Sequence, residues 1–322
     1  MRNDKSAAST VFMFSGQGSH YFHMGRGLFE SDETFRGWMV RLDDCARRLS
    51  GVSVLASLYS DDHEKGAWFD RTLLTHPAIF MVEYSLAQSL MRAGVVPDLL
   101  LGVSLGSFAA AAVAGFIGVE DALAAVSQQA QALEEWSEPG GMTAVLANPE
   151  LFGDDVFSSR SELAAVNFAS HFVISARCAE LSEIEDSLRQ HRIAYQRLPV
   201  SVPFHSRWID RAEAPFSSFM RTIRFERGEL PLICCQRASA LLELPDGYFW
   251  DVVRGPIQFG AMVGRLEQEG PRRYIDLGPS GTLATFVKYQ IAPTTRSTIH
   301  ATLTQYGLDQ KNVAAVLASV RQ

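Results

Sequence analysis

The segment LLLGVSLGSFAAAAVAG, residues 99–115, constrains the fold more than any other part of the chain. Its apolar start predicts a buried strand, and the small residues after Gly106 predict a closely packed helix. Between them lies Gly102-Val103-Ser104-Leu105-Gly106, a G-x-S-x-G pattern whose glycines permit a strained strand-to-helix turn. Such a turn lifts its serine out of the sheet, so Ser104 is a candidate nucleophile. The alternative is a glycine-serine turn without a chemical role.

A second glycine turn, Gly16-Gln17-Gly18-Ser19, follows the apolar run TVFMF. Turns that follow parallel strands meet at the carboxyl edge of an α/β sheet, so this turn is expected beside Ser104. The backbone N–H groups of Gln17 and Leu105 are then candidates to bind one anion together, unless the segment is a plain loop. Neither a dinucleotide-binding nor a P-loop glycine pattern is present.

The order of the predicted elements indicates two subdomains. After the turn cluster at 138–141, strand and helix patterns follow in the order β-α-β-β-α-β, which is typical of a ferredoxin-like module. We therefore predict an α/β fold with a large subdomain, residues 1–139 and 201–322, and an inserted subdomain, residues 140–200. A cleft between them is a natural ligand site.

A serine nucleophile needs a base within hydrogen-bond reach, and eight histidines are available. His205 in VPFHS directly follows the last strand of the predicted insertion, at the expected mouth of the cleft. The other histidines lie in surface, capping or peripheral contexts. His205 is the preferred candidate, and a structural histidine is the alternative.

Bulk properties exclude several classes of protein. A net charge of -7 disfavours nucleic-acid binding, which needs clustered Lys and Arg. Four irregularly spaced cysteines predict neither a disulfide framework nor a metal site. The apolar run after Phe108 is shorter than the roughly 20 residues that span a bilayer, and the run VFMF is short for a signal peptide. We expect a cytoplasmic protein that binds neither membrane nor nucleic acid.

Together these motifs resemble the malonyl-CoA:acyl carrier protein transacylase family, which includes acyltransferase domains of polyketide synthases. The resemblance extends over nearly the whole chain through FSGQGSHYFHMGRGLF, THPAIFMVEYSL, LLGVSLGSFAAAAVAG, VNFASHFVISA, LPVSVPFHS, VVRGPIQF and YIDLGPSGTLATFVK. It implies an α/β-hydrolase-like large subdomain with an inserted ferredoxin-like one.

The resemblance also implies roles for individual residues. Ser104 corresponds to the nucleophile, and His205 corresponds to the general base. A backbone carbonyl, here that of Gln258, is expected to orient the imidazole. The N–H groups of Gln17 and Leu105 correspond to the oxyanion hole, and Asn167 lies near the bound acyl group. The implied partners are acyl carrier protein and possibly acyl-CoA, whose thioester-bearing arm belongs to the substrate, so no separate cofactor is expected.

Departures from the family pattern bear on the acyl group. Malonyl-specific members carry an arginine in the helix after the nucleophile, where this chain has Gln129, or Gln128 if the count slips by one residue. A charge-assisted pair contributes roughly 1.5–3 kcal/mol, so its loss favours neutral acyl groups unless another arginine substitutes. Val103 and Ser107 replace a histidine and a glutamate that are usual in the family. Phe204 before the histidine points instead towards malonyl, but a charge discriminates more strongly than one pocket wall.

The segments FMFSGQGSHYFHMG and DLGPSGTLATFVK look most like stand-alone proteins of polyketide synthases that lack built-in acyltransferases. One branch of those is similar to acyl hydrolases, and the missing arginine fits that branch. We therefore predict that the protein removes neutral acyl groups from acyl carrier protein. The alternative is an acyltransferase that acts in trans, since both reactions share an acyl-enzyme. A third hypothesis is an inactive scaffold that only docks carrier protein.

Overall fold

The computed structural model describes residues 8–320 as an α/β fold. The strands are β1 (Ser9–Phe14), β2 (Leu99–Gly102), β3 (Gly140–Val145), β4 (Glu162–Phe168), β5 (His171–Arg177), β6 (Tyr195–Arg197), β7 (Leu232–Cys234), β8 (Ser239–Leu241), β9 (Arg272–Asp276) and β10 (Thr298–Ala301). The helices are α1 (Arg26–Ser31), α2 (Glu33–Ser50), α3 (Val54–Leu58), α4 (Thr72–Arg92), α5 (Gly106–Val113), α6 (Val119–Trp136), α7 (Asp155–Ser158), α8 (Cys178–Gln190), α9 (Glu213–Met220), α10 (Tyr248–Arg254), α11 (Phe259–Glu269), α12 (Thr282–Gln290) and α13 (Asp309–Val320). Two 3-10 turns span Pro149–Gly153 and Arg207–Ala212.

The larger sheet has six strands in the order β10-β9-β1-β2-β7-β8. All neighbours are parallel except β7 and β8, which are antiparallel. The central strand β1 is apolar and buried along nearly its whole length, as expected of a parallel strand that is covered on both faces. Phe14 at its end pairs with Gly102 at the end of β2, so the two glycine turns leave the sheet at the same edge.

The smaller sheet is antiparallel, in the order β4-β5-β3-β6. Its elements follow one another as β-α-β-β-α-β, and side chains alternate between its two faces. Phe172 and Ile174 face a small cluster that includes α8, whereas Val173 between them belongs to the main core. The two sheets therefore share one apolar core.

The predicted α/β class, with a parallel sheet and a second smaller sheet, is confirmed. The division of the chain at residues 140 and 200 stays a prediction. Within residues 8–320, the structure contains no helix whose length and apolar character would let it cross a bilayer.

The two glycine turns contact each other closely at Gly106. A Cβ atom there would lie 2.2 Å from the carbonyl oxygen of Phe14 and 2.6 Å from that of Ser15. The backbone N–H of Val103 donates to the same Phe14 oxygen at 2.9 Å. Only glycine allows the start of α5 to approach the end of β1 at this distance, which fixes the serine turn against the sheet.

Substituting Gly106→Ala should therefore lower the free energy of unfolding by roughly 1–3 kcal/mol or more, because the methyl group overlaps backbone atoms that cannot yield. Urea denaturation measures the change. The matched control is Gly37→Ala, at an exposed position of α2 where a Cβ would meet nothing within 4 Å. That variant should gain about 0.5–1 kcal/mol from helix propensity. A Gly106→Ala protein as stable as the wild type would contradict the packing described.

Candidate active site

Ser104 lies in the turn between β2 and α5, where its backbone adopts the left-handed conformation with φ of 53°. Its Oγ lies 2.9 Å from Nε2 of His205, which is 101 positions away in the sequence. His205 follows β6 and also has a positive φ, 59°. Non-glycine residues rarely adopt this conformation, and they do so mainly where the surrounding structure imposes it at functional sites. The structure thus brings the two predicted residues into hydrogen-bond contact.

The imidazole of His205 is held in one tautomer. Its Nδ1 lies 2.7 Å from the carbonyl oxygen of Gly255, which can only accept, so Nδ1 carries the proton. Nε2 then presents a lone pair to the Ser104 hydroxyl. Burial lowers the pKa of His205 to about 4, opposed by the hydrogen bond to Gly255 and assisted by the charge of Arg254. The ring is therefore a neutral acceptor at neutral pH.

Gly255, not Gln258, supplies the carbonyl that orients His205, so that prediction is wrong. Gln258 is the N-cap of α11, and its carbonyl accepts the first hydrogen bond of that helix from Met262 at 3.0 Å. Gly255 lies three residues earlier, between α10 and α11, where its carbonyl is free of helical bonds. The backbone N–H of His205 donates to Val253 at 3.0 Å, which fixes the same segment against the histidine.

The candidate oxyanion donors lie on the two turns in contact. A Cβ on Gly16 would lie 3.0 Å from Cβ of Ser104, so the Gln17 turn packs directly on the serine. The backbone N–H groups of Gln17 and Leu105 donate to no group within residues 8–320. The Gln17 side chain is tied to α4 by a 2.7 Å bond from Nε2 to Oγ1 of Thr75. Two unused N–H groups next to a serine can stabilise a developing oxyanion.

A cavity of about 420 Å³ opens beside the Ser104 hydroxyl, between the two sheets. Its wall is formed by apolar and uncharged polar side chains from both, and among the described residues it includes no Arg, Lys, Asp or Glu. Two histidines, His171 and His205, also lie on the described wall, and burial lowers the pKa of both. At neutral pH the cavity therefore offers no formal charge to a bound acyl group.

Val103, Asn167 and Phe204 lie on the cavity wall, where the sequence predicts them. Gln129 does not, and this prediction needs correction: the side chain points into the core from α6 and is fully buried. Neither of its amide atoms has a hydrogen-bond partner among the described residues. The sequence also left open that another arginine replaces the missing cation. No arginine within residues 8–320 lies on the cavity wall.

Sequence reasoning missed two histidines. His171 lies on the cavity wall, with Nδ1 3.1 Å from Nδ2 of Asn167. His76, on α4, packs behind the Phe204 ring with 5.6 Å between the ring centroids, and burial lowers its pKa to about 3. A signal for His171 was present: the tight β4–β5 hairpin places it next to Asn167. The sequence contains no comparable signal for His76.

Comparisons with known proteins agree with this geometry. The acyl transferase domain family model matches residues 11–319. The chain is 41% identical to the polyketide biosynthesis acyltransferase homolog BaeD of Bacillus velezensis, over 96% of each protein, and 40% identical to the homolog PksD of Bacillus subtilis, over 95% of each. A loading acyltransferase from the avermectin modular polyketide synthase superposes with a TM-score of 0.88 at 26% identity, over 98% of this chain and all of that one.

A more distant solved structure supports the fold alone. The malonyl CoA-acyl carrier protein transacylase of Clostridium perfringens superposes with a TM-score of 0.81 at 24% identity, over 98% of each chain. The whole architecture around the Ser104–His205 pair therefore recurs in known proteins.

The lowered pKa of His205 leads to a prediction about pH. The rate at which a fluorophosphonate labels Ser104 should rise as the pH passes about 4 and stay level above it, because only the neutral imidazole accepts the serine proton. Mass spectrometry of the labelled peptide measures the rate, with circular dichroism confirming that the protein is folded at each pH. A midpoint at 6.5 or above, or equal labelling of Ser104→Ala, would contradict this site geometry.

The two unpartnered amide atoms of Gln129 lead to a prediction about stability. Gln129→Met should raise the free energy of unfolding by roughly 1–3 kcal/mol, because an apolar side chain of similar length removes buried polar atoms without partners. The matched control is Gln128→Met on the same helix, at a half-buried position, which should change little. Chemical denaturation distinguishes them; a destabilised Gln129→Met variant would show that the amide has a partner.

Proposed function

We propose a function on the premise that this chain belongs to the acyl transferase domain family. The protein takes acyl groups from thioesters of acyl carrier protein onto Ser104 and releases neutral ones to water, within polyketide biosynthesis. The observation that carries the proposal is the uncharged cavity wall around a serine and histidine in hydrogen-bond contact.

The first half of the reaction forms an acyl-enzyme. Ser104 Oγ attacks the thioester carbonyl carbon while Nε2 of His205 accepts the hydroxyl proton. The resulting oxyanion binds the N–H groups of Gln17 and Leu105, of which the second also lies at the positive end of α5. The carbon–sulfur bond then breaks, and the proton on His205 passes to the departing thiol. Removal of one oxyanion donor typically costs roughly 10²–10³ in kcat.

The second half of the reaction regenerates the serine. Water attacks the acyl-serine carbonyl, and His205 Nε2 accepts a proton from that water. The carbon–Oγ bond breaks, the proton returns to Ser104, and the free acid leaves. The carbonyl of Gly255 keeps the imidazole in the required tautomer throughout, which removes the need for a carboxylate partner.

Selectivity for neutral acyl groups follows from the cost of burying a charge. A malonyl carboxylate in this cavity meets no cation on the described wall, whereas an acetyl or longer neutral group needs none. A missing charge-assisted hydrogen bond of about 1.5–3 kcal/mol corresponds to a preference of roughly 10-fold to 150-fold.

A second candidate function is transfer of the acyl group to a carrier-protein thiol. The names of the relatives favour it, because BaeD and PksD are described as acyltransferase homologs and the avermectin protein as a loading acyltransferase. Transfer uses the same acyl-enzyme and differs only in the nucleophile that arrives second. The preference for neutral acyl groups applies to both reactions. The inactive-scaffold hypothesis is disfavoured, since a scaffold needs no serine and histidine in strained, matched positions.

The partner that fits this chemistry is an acyl carrier protein, whose phosphopantetheine arm carries the thioester into the cavity. Acyl-CoA offers the same thioester and is a possible donor. At the cavity, Gln305 and Tyr306 form part of the wall, and Tyr306 is 94% exposed. A cytoplasmic location stays a prediction.

The test supplies purified protein with acetyl- and malonyl-loaded carrier protein, each with and without unloaded carrier protein as acceptor. Mass spectrometry follows free acid, loaded carrier and recipient carrier. We expect release of acetate at a rate at least tenfold above malonate, and no release by Ser104→Ala. Acyl transfer to the recipient without release selects the second candidate. Rapid malonyl processing with slow acetyl processing contradicts the proposed selectivity.

A further inference from the structure

A chain of hydrogen bonds links α4 to the Gln17 turn through Ser15 and Ser19, which also lie on the cavity wall. It starts at Glu83 on α4, which is fully buried. Glu83 Oε1 lies 2.6 Å from the backbone N and 2.9 Å from Oγ of Ser15. Oγ of Ser15 lies 2.9 Å from Oγ of Ser19, which lies 2.8 Å from the carbonyl oxygen of Gly16.

Counting hydrogens along this chain of hydrogen bonds favours a protonated Glu83. The Gly16 carbonyl can only accept, so Ser19 donates to it, and Ser15 must then donate to Ser19. The contact between Ser15 Oγ and Glu83 is left without a hydrogen unless Glu83 itself supplies one. A protonated Oε1 can donate to Ser15 Oγ while it accepts from the Ser15 N–H. A carboxylate would leave one of the contacts without a hydrogen.

The surroundings of Glu83 favour the neutral acid. Burial raises its pKa well above the ordinary value, the bonds from Ser15 oppose that shift, and the nearby Asp276 carboxyl raises it further. Asp276, on β9, is the ionisable group that faces Glu83 from another element of the described chain. Both Asp276 oxygens accept backbone N–H bonds, from Gly278 and Ala284 at 2.8 Å each. Burial raises the pKa of Asp276 to about 7, so this region disfavours a second negative charge.

This chain of hydrogen bonds ends at the carbonyl of Gly16, which belongs to the same peptide unit as the Gln17 N–H. A peptide group is planar and trans, so fixing the direction of the Gly16 carbonyl also fixes the opposite direction of the Gln17 N–H. Gly16 packs on Ser104, because a Cβ atom added to Gly16 would lie 3.0 Å from the Cβ of Ser104. The hydrogen bond from Ser19 therefore holds one candidate oxyanion donor in place beside the nucleophile.

We propose that Glu83, as a neutral acid, is a positioning residue that aims the Gln17 N–H at the acyl oxygen on Ser104 through Ser15 and Ser19. The inference rests on the proposed acyl-enzyme at Ser104. It assigns to a buried carboxyl that is not itself on the described cavity wall a role in transition-state stabilisation rather than in binding. Breaking this chain of hydrogen bonds should therefore lower kcat and leave KM little changed.

Four variants test this proposal by kcat and KM for release or transfer of the acetyl group from carrier protein. Ser15→Ala and Ser19→Ala should each lower kcat roughly tenfold to a hundredfold, because small displacements of a catalytic group cost about that much. Glu83→Gln keeps only one of the two contacts, because the same Glu83 oxygen makes both and an amide nitrogen donates to Ser15 Oγ but cannot accept from the Ser15 N–H. Its kcat should therefore lie between those of wild type and Ser15→Ala. The control Ser85→Ala removes another buried hydroxyl from α4, two residues from Glu83, and should leave kcat unchanged.

The pH profile adds a readout that a merely structural role would not change. Wild-type kcat should fall as rising pH removes the Glu83 proton that completes this set of hydrogen bonds, and the Glu83→Gln variant should lack this fall. Thermal unfolding identifies any variant that fails to fold. Ser19→Ala leaves the Glu83–Ser15 pair intact and keeps the proposal testable in that event.

The outcomes separate this inference from the proposed function. A wild-type protein that forms no acyl-enzyme at Ser104 overturns the function itself. If wild type is active and folded Ser19→Ala matches its kcat, the positioning role of Glu83 is wrong. The same conclusion follows if Glu83→Gln retains the fall of kcat with rising pH.

Discussion

The hydrogen bond between Ser104 and His205 is the interaction on which the rest of this account depends. Its two partners come from different parts of the chain: the serine from a turn of the parallel sheet, and the histidine from the segment that follows the small sheet. Each residue adopts a backbone conformation that its type rarely occupies. The contact exists because Gly106 allows α5 to approach β1, and because the Gly255 carbonyl holds the imidazole.

An uncharged wall gives this pair its proposed selectivity. The serine, histidine and two backbone N–H groups are suited to capture almost any thioester, so the choice of acyl group depends on the rest of the cavity. That wall combines apolar side chains with amides and hydroxyls, which can accommodate a neutral chain without burying an unpaired charge. The wall includes Val103 and Phe204, the chain neighbours of Ser104 and His205, together with side chains from the small sheet, so the reactive pair and the selective surface share the same turns.

The sequence predicted the parts of this structure that local patterns encode. G-x-S-x-G between an apolar run and small residues located the turn that carries Ser104, and the position of VPFHS after the predicted insertion located His205. The predictions that were wrong depended on details of the tertiary structure. The orienting carbonyl belongs to Gly255 because α11 begins at Phe259 and consumes the Gln258 carbonyl, a boundary that the sequence pattern does not specify. Gln129 was placed on the wall by counting residues, but its side chain is fully buried on α6 and does not line the cavity. The wall residue His171 and the chain from Glu83 to Gly16 depend on side chains that meet only in the folded protein.

The most direct test of the central claim is a single-turnover competition for the serine. Equal amounts of acetyl- and malonyl-pantetheine thioester are mixed with excess enzyme, the reaction is quenched at early times, and the peptide containing Ser104 is analysed by mass spectrometry. The account predicts that acetyl accumulates first and predominantly on Ser104, and that a His205→Ala variant accumulates neither. Malonyl predominating on Ser104, or acylation at any other residue, would contradict it.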